Sequence, residues 1–311
     1  MSVLRAADLG VVLPALPVDR TYEPNYGRAV EIAPNVRRLV ANNPNPFTFY
    51  GTGTYIVGRG QVAVVDPGPL LDDHVKAILA ATTGETISHI LVTHTHNDHS
   101  PAVAPLKAAT GAKVFGCGKL PVRRDDGGVD VEEGGDRTYA PDVQMRDGDK
   151  VQVGALGFEA VFTPGHTSNH VCFALSDGSA FFPGDHVMGW STTVIAPPDG
   201  DMADYFASLE KLLSRPEAPF YPTHGNPIAR SHAFVRMLIE HRHARERQIE
   251  ACLQRGIASI PDMVAVIYSE VDKRLHPAAA RSVLAHLQHM VATGRAASDG
   301  AASAGAKYRT V

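Results

Sequence analysis

Residues 93–100 read Thr93-His94-Thr95-His96-Asn97-Asp98-His99-Ser100, which places four metal-type ligands within six positions. They follow His89-Ile90-Leu91-Val92, an apolar run of the buried-strand type. Residues two apart on an extended chain share a face, so a strand running straight into this loop projects His94 and His96 to one side. The turn after them brings Asp98 and His99 round to a second point close by. Two neighbouring cation positions built from one loop are what a two-metal hydrolytic site requires, with the ions about 3.5–4 Å apart. A histidine-rich surface loop is the alternative. It accounts for one such residue far more easily than for four.

Further ligand types stand in the same kind of place, each after a strand-like run. They occur in Phe162-Thr163-Pro164-Gly165-His166, in Phe181-Phe182-Pro183-Gly184-Asp185 and in Phe220-Tyr221-Pro222-Thr223-His224-Gly225. The glycine beside each ligand lets the backbone turn sharply there. Asp66, in Val65-Asp66-Pro67-Gly68, ends another strand and is a candidate acceptor for the ring N–H of a ligating histidine. An ordinary turn aspartate is the alternative reading.

Working outward, runs at 54–58 and 61–65 form a hairpin pattern, and 74–81 has helical spacing. A short helix over 104–110 leads to a strand at 112–116. Four more strands are expected at 150–153, 156–163, 170–175 and 179–182. Strands in meander order with helices between them predict packed sheets flanked by helices, an α/β (α+β) class. The stretch 121–142 is rich in glycine and charge and reads as a long loop, either a lid or a solvated insertion. Beyond residue 228 the pattern turns helical, with helices expected at 232–254, 260–271 and 278–293 and a hairpin after them, the outline of a winged helix. The organisation expected is an N-terminal arm (1–28), a catalytic unit (29–229) and a C-terminal helical unit (230–311).

Composition narrows the class. The 311 residues are 44% hydrophobic and 20% charged, as in a globular protein, and include 15 His. No apolar run nears the roughly 20 residues that cross a bilayer, so no membrane partner is expected. The first 26 residues lack a basic head before an apolar core, so no secretory signal is expected. Three scattered cysteines (Cys117, Cys172, Cys252) suit neither a disulfide framework nor a cysteine zinc site, and a reducing cytoplasmic setting is expected. Gly51-Thr52-Gly53 does not continue into a nucleotide-binding fingerprint. The net charge of −4 is uneven, because residues 230–311 hold 12 Lys/Arg against 7 Asp/Glu.

The set His-x-His-x-Asp-His, Gly-His, Gly-Asp and Thr-His-Gly resembles the metallo-β-lactamase superfamily. The run 184–194 and the C-terminal helical unit resemble its lactamase-beta-2-like branch. The resemblance implies an αβ/βα sandwich with the site along one edge of the sheets. It also implies that His94, His96 and His166 hold one metal, that Asp98, His99 and His224 hold the other, and that Asp185 bridges them. Some antibiotic-destroying members carry Cys where this chain has Asp185, which argues against drug resistance as the primary role.

Five neutral imidazoles and two carboxylates around two divalent cations leave a net positive cluster. Such a cluster lowers the pKa of bound water toward about 7 and favours an anionic transition state. Nitrogen and oxygen donors favour zinc, with manganese or iron as substitutes. Asp98 and Asp185 are the candidate catalytic residues, Asp98 also as a proton donor to the leaving group. His170 and Thr193 are candidates for substrate contact or ligand support, whereas His186, next to Asp185, points away from the site if the segment is extended, and Trp190, Ser191 and Thr192 are candidates for the cleft wall.

The reading favoured is a binuclear hydrolase in which a metal-bridging hydroxide attacks an ester or thioester, small or carrier-bound. A single-strand endoribonuclease is the alternative, drawn from the branch resemblance and from basic residues such as Arg242, Arg245 and Arg247. A nucleic-acid-binding module with an inactive hydrolase body is the third. The oligomeric state is not indicated.

Overall fold

The computed structural model describes residues 5–118 and 134–311. The chain opens with β1 (Val30–Ala33), β2 (Val36–Val40), β3 (Gly53–Arg59) and β4 (Gln61–Val65). Helix α1 (Asp72–Ala81) leads to β5 (Thr86–Val92), and α2 (Val103–Thr110) to β6 (Lys113–Gly116) and β7 (Val143–Gln144). A second group follows: β8 (Lys150–Val153), β9 (Leu156–Phe162), β10 (Val171–Leu175), β11 (Phe181–Phe182) and α3 (Met202–Leu213). The chain ends with α4 (Ser231–Gln254), α5 (Ile260–Ile267), α6 (His276–Ala292), β12 (Ala296–Ser298) and β13 (Tyr308–Thr310).

β1 to β7 form one sheet in sequence order, antiparallel from β1 to β4 and parallel from β4 to β7. The change of direction follows from the connections. Gly60, with φ 71°, closes the β3–β4 hairpin, whereas parallel pairing of β4 with β5 and β5 with β6 needs the crossover helices α1 and α2. The second sheet runs β11-β10-β9-β8, all antiparallel.

The two sheets pack face to face, and each is covered outside by helices. Along β4, Ala63 and Val65 enter the core between the sheets, while Val62 and Val64 meet Ile78 of α1 and Leu106 of α2. Along β10, Val171, Phe173 and Leu175 enter the same central core, and Cys172 and Ala174 join the α3 side. Burial on both faces is why these strands read as continuous apolar runs. The expected αβ/βα order of layers is therefore the observed one.

α4 belongs to two cores. Phe234, Val235 and Leu238 pack with α3, whereas Ile249, Cys252 and Leu253 pack with α5, α6 and the β12–β13 hairpin. Its charge pattern suggests a solvated face joining the two units, and Arg236, Glu240, His243 and Arg247 form that face, but the charges on the opposite side are enclosed. Arg242, Arg245, Glu246 and Gln248 are all buried, because α3 and α6 close over the helix. The Glu246 carboxylate is ion-paired with Arg295 Nη2 (2.6 Å) and lies 2.7 Å from His289 Nδ1. α5 is shorter than the expected 260–271 and stops at Ile267, where Tyr268 caps it.

The first described residues lie along this body, with Leu9 in the C-terminal core and Leu16 and Val18 against the α3–α4 core. Residues 119–133, most of the expected loop, lie outside the described residues. No helix among the described residues is long and apolar enough to cross a membrane.

Candidate metal centre

Loops from both sheets meet at one edge. β4 ends at Asp66, β5 at the 93–100 loop, β9 at the turn before His166, and β11 at the turn before Asp185. Phe220 pairs with Phe181 and sets His224 beside them. Two glycines make these turns. Gly184 has φ 52°, and a Cβ there would come within 2.7 Å of His170 Nε2 and Thr93 Oγ1. Gly165 has φ 138°, and its Cβ would lie 2.4 Å from the Tyr205 Cα. Both φ values lie where side chains are strained, so glycine is required on two counts.

All seven predicted ligands converge. His94 Nε2 lies 2.9 Å from His96 Nδ1, and His166 Nε2 lies 3.1 Å from the same atom. Asp98 Oδ2 stands 3.2 Å from His99 Nε2 and 3.2 Å from His224 Nε2. Asp185 lies between the groups, 3.3 Å from His224, 3.5 Å from His99 and 4.0 Å from His166. His94/His96/His166, His94/His99/Asp185 and Asp98/His99/His224 each bring three donor atoms within 4.8 Å of one another.

The opposite edge of four of the five rings is tied down, which decides what the inner nitrogen presents. His99 Nδ1 meets Asp66 Oδ2 (3.0 Å), His166 Nδ1 the Val194 carbonyl (2.8 Å) and His224 Nδ1 the Gly51 carbonyl (3.2 Å). His94 Nδ1 lies 3.1 Å from Thr93 Oγ1. With Nδ1 donating to carbonyl or carboxylate oxygen, the Nε2 lone pair of His99, His166 and His224 is left for the centre. Asp66 is itself held by the Thr93 amide (2.8 Å) and hydroxyl (2.7 Å).

These donors fit a pair of cations. A tetrahedral ion about 2.0–2.1 Å from each ligand nitrogen sets those nitrogens roughly 3.3 Å apart, close to the spacings found. His99 Nε2 and Asp185 Oδ1 are buried without a hydrogen-bond partner, so the centre has donor atoms that the protein does not satisfy. The electrostatics agree. Burial alone depresses His224, but the Asp185 and Asp98 carboxylates outweigh it and hold the ring up at about 10. His99 is likewise raised against burial by Asp98 and Asp185. Two buried carboxylates thus demand positive charge, which protons on these rings or bound cations supply. Burial pushes His96 down to about 3, with His166 adding to it, which leaves a neutral donor.

The remaining candidates separate. His170 is fully buried behind the loop, bonded to Thr163 Oγ1 (2.9 Å) and accepting from the Asp185 amide (3.2 Å), and it does not line the cleft. His186 is also enclosed, with both ring nitrogens unpartnered. Thr193 is buried, and its hydroxyl donates to the Asp185 carbonyl (2.5 Å). Trp190, Ser191 and Thr192 do line the cleft. Thr52, which the sequence does not single out, donates to Asp98 Oδ2 (2.9 Å). The cleft above the ligands has an apolar wall of Pro46, Phe47, Met188, Trp190 and Val194, with Thr48 as a further polar edge. No lysine or arginine lines it among the described residues.

A two-sheet sandwich flanked by helices, with this set of histidines and aspartates along one edge, defines a class. Residues 48–224 match the metallo-beta-lactamase superfamily and residues 259–305 the beta-lactamase associated winged helix domain. The chain belongs to the metallo-β-lactamase superfamily and carries that winged helix domain after it. Among individual proteins it is similar to the beta-lactamase-like protein 2 homolog of Caenorhabditis elegans, 34% identical over 218 residues that cover 69% of each chain. It is 28% identical to an atrochrysone carboxyl ACP thioesterase of Claviceps purpurea over 250 residues, 77% of this chain and 74% of that one. A beta-lactamase domain protein of Burkholderia ambifaria shares the fold at a TM-score of 0.74 and 20% identity, over 94% of this chain and 96% of that one.

Proposed function

We propose that the protein is a two-metal hydrolase of acyl thioesters or esters, with a thioester of a small or carrier-bound thiol as the preferred substrate. The observation that carries this is the cleft. An apolar wall stands beside the ligand cluster, and the described lining offers no cation for a phosphate. An uncharged acyl group matches that wall, whereas a phosphodiester calls for basic contacts. The similarity to a protein named as an acyl carrier thioesterase supports the same reading.

His94, His96 and His166 would hold one ion, Asp98, His99 and His224 the other, with Asp185 between them. Zinc suits the nitrogen and oxygen donors best, with manganese or iron as substitutes. When bound, two such ions supply Lewis acidity and make hydroxide available near neutral pH. The chain's own side chains do the rest. Pro46, Phe47, Met188 and Trp190 bind the acyl group and exclude water from it. Asp98, oriented by the Thr52 hydroxyl, stands at the cleft floor, where its carboxylate would take up the proton released by the attacking water and pass it to the departing group. A thiol, with an ordinary pKa near 8.5, leaves with less need of that proton than an alcohol does.

The endoribonuclease reading loses its basic face, since Arg242 and Arg245 are buried and Arg247 pairs with Glu240. We take residues 29–229 as the catalytic unit, 230–311 as the helical unit and 1–28 as an N-terminal arm. A panel of acyl thioesters, p-nitrophenyl esters, bis-p-nitrophenyl phosphate and single-stranded RNA tests the proposal. Thioester turnover insensitive to salt is expected. Faster RNA or phosphodiester cleavage that weakens steeply with salt would replace it.

A further inference from the structure

The C-terminal helices reach back to the ligand-bearing segment through two guanidinium groups. Arg242 of α4, only 3% exposed, donates through Nη2 to the Thr193 carbonyl. Arg281 of α6 donates through Nη1 to the Pro197 carbonyl (3.3 Å). The Arg242 charge also lies 5.2 Å from the centroid of the Tyr205 ring, whose hydroxyl donates to the His186 carbonyl (3.1 Å).

What Arg242 grips is the brace of the centre. Thr193 accepts from Arg242 through its carbonyl and donates through its hydroxyl to the Asp185 carbonyl. The next carbonyl, of Val194, receives His166 Nδ1. One dipeptide therefore fixes the backbone at Asp185 and the ring orientation of His166, and a side chain from another unit fixes the dipeptide. Burying a guanidinium costs several kcal/mol when no carboxylate answers it. Here its partners are a carbonyl and an aromatic face, and Nε has none. Packing alone would be served by an apolar residue of similar length.

We propose that Arg242 is a positioning residue, through which the C-terminal helical unit sets the geometry of Asp185 and His166 at the metal centre. The inference rests on the metal-site reading above. It also gives the helical unit a use that involves no nucleic acid. Neighbouring Arg245 supplies the contrast. It is 7% exposed on the same helix, but it donates to Gln248 Oε1 (2.7 Å) and lies 4.3 Å from the Tyr268 ring centroid, within the C-terminal unit.

Zinc affinity, measured on the full chain by competition with a chromophoric chelator, separates positioning from plain stability. Supporting groups behind metal ligands change affinity by about 10–100-fold, and Arg242→Met is expected near the lower end, with its helical circular dichroism retained. Arg245→Met is expected to lower the unfolding midpoint and leave zinc affinity unchanged. Should Arg242→Met fail to fold, Thr193→Val removes only the hydroxyl bonded to Asp185 and is expected to weaken zinc in the same direction. Wild-type zinc affinity in the folded Arg242 variant, or in Thr193→Val where the former does not fold, overturns the inference, as does equal loss in Arg245→Met. A wild-type chain that takes up no divalent ion overturns the metal-site reading itself.

Discussion

Asp66 does more for the centre than its place in a Pro-Gly turn suggests. It adopts φ 47°, accepts two hydrogen bonds from Thr93 and holds the His99 ring by Nδ1. Asp66→Asn keeps the shape but weakens the acceptor, so zinc affinity should fall about 10–100-fold by chelator competition. An unchanged affinity would make Asp66 a turn residue only. Gly184→Ala drives a Cβ into His170 and Thr93, and a loss of about 1–3 kcal/mol is expected in urea unfolding. At this scale the convergence of the seven side chains was legible because each follows an apolar run at a fixed, local spacing. Thr52 and Arg242 were not. Their partners, Asp98 and Thr193, lie 46 and 49 residues away, and no local pattern encodes such contacts.

At the scale of elements, alternation along β4 and β10 places the layers, and the apolar runs that announce these strands reflect helices on one face and a sheet on the other. α3 is the instructive omission. Its sequence carries an N-cap, Asp201, whose side chain accepts from the Asp204 amide (2.9 Å), and buried Met202, Tyr205, Leu209 and Leu212 at helical spacing. The preceding loop, rich in proline and threonine, obscures that start. Asp201→Ala should cost about 1 kcal/mol in urea unfolding, and no change would mean the cap is idle. α4 misleads in the other direction. A helix dense in Arg, Glu and His reads as solvated, and the face of Arg236, Glu240, His243 and Arg247 is, but Glu246 and Arg242 on the other side are answered inside the fold by His289, Arg295 and the Thr193 carbonyl.

For the whole molecule, buried neutral histidines in separate layers set the response to acid. Burial pushes His74, on α1, and His286, on α6, down to about 4 from an ordinary 6.5. The unfolded chain therefore takes up protons that the folded one refuses. Their contribution is full above about pH 6.5 and is lost as the pH falls from there toward 4. Burial works against the Glu246 carboxylate, but His286 and His289 outweigh it and depress that group, adding a loss of the same sign at lower pH. Thermal midpoints should fall across this window, and a flat profile would contradict the assignment. Two sheets, their flanking helices and a helical C-terminal unit could be read from the order of runs. That the long helix joins the two units could be read as well, but the sequence does not say which core each of its turns enters.

The central claim is that seven side chains from four stretches of chain hold two ions. Metal analysis of the purified protein after saturation with zinc and removal of the excess tests it most directly. The account predicts two zinc ions per chain, falling to one or none in Asp185→Asn. One ion or none in the wild type, or an Asp185→Asn chain that still retains both, would contradict it.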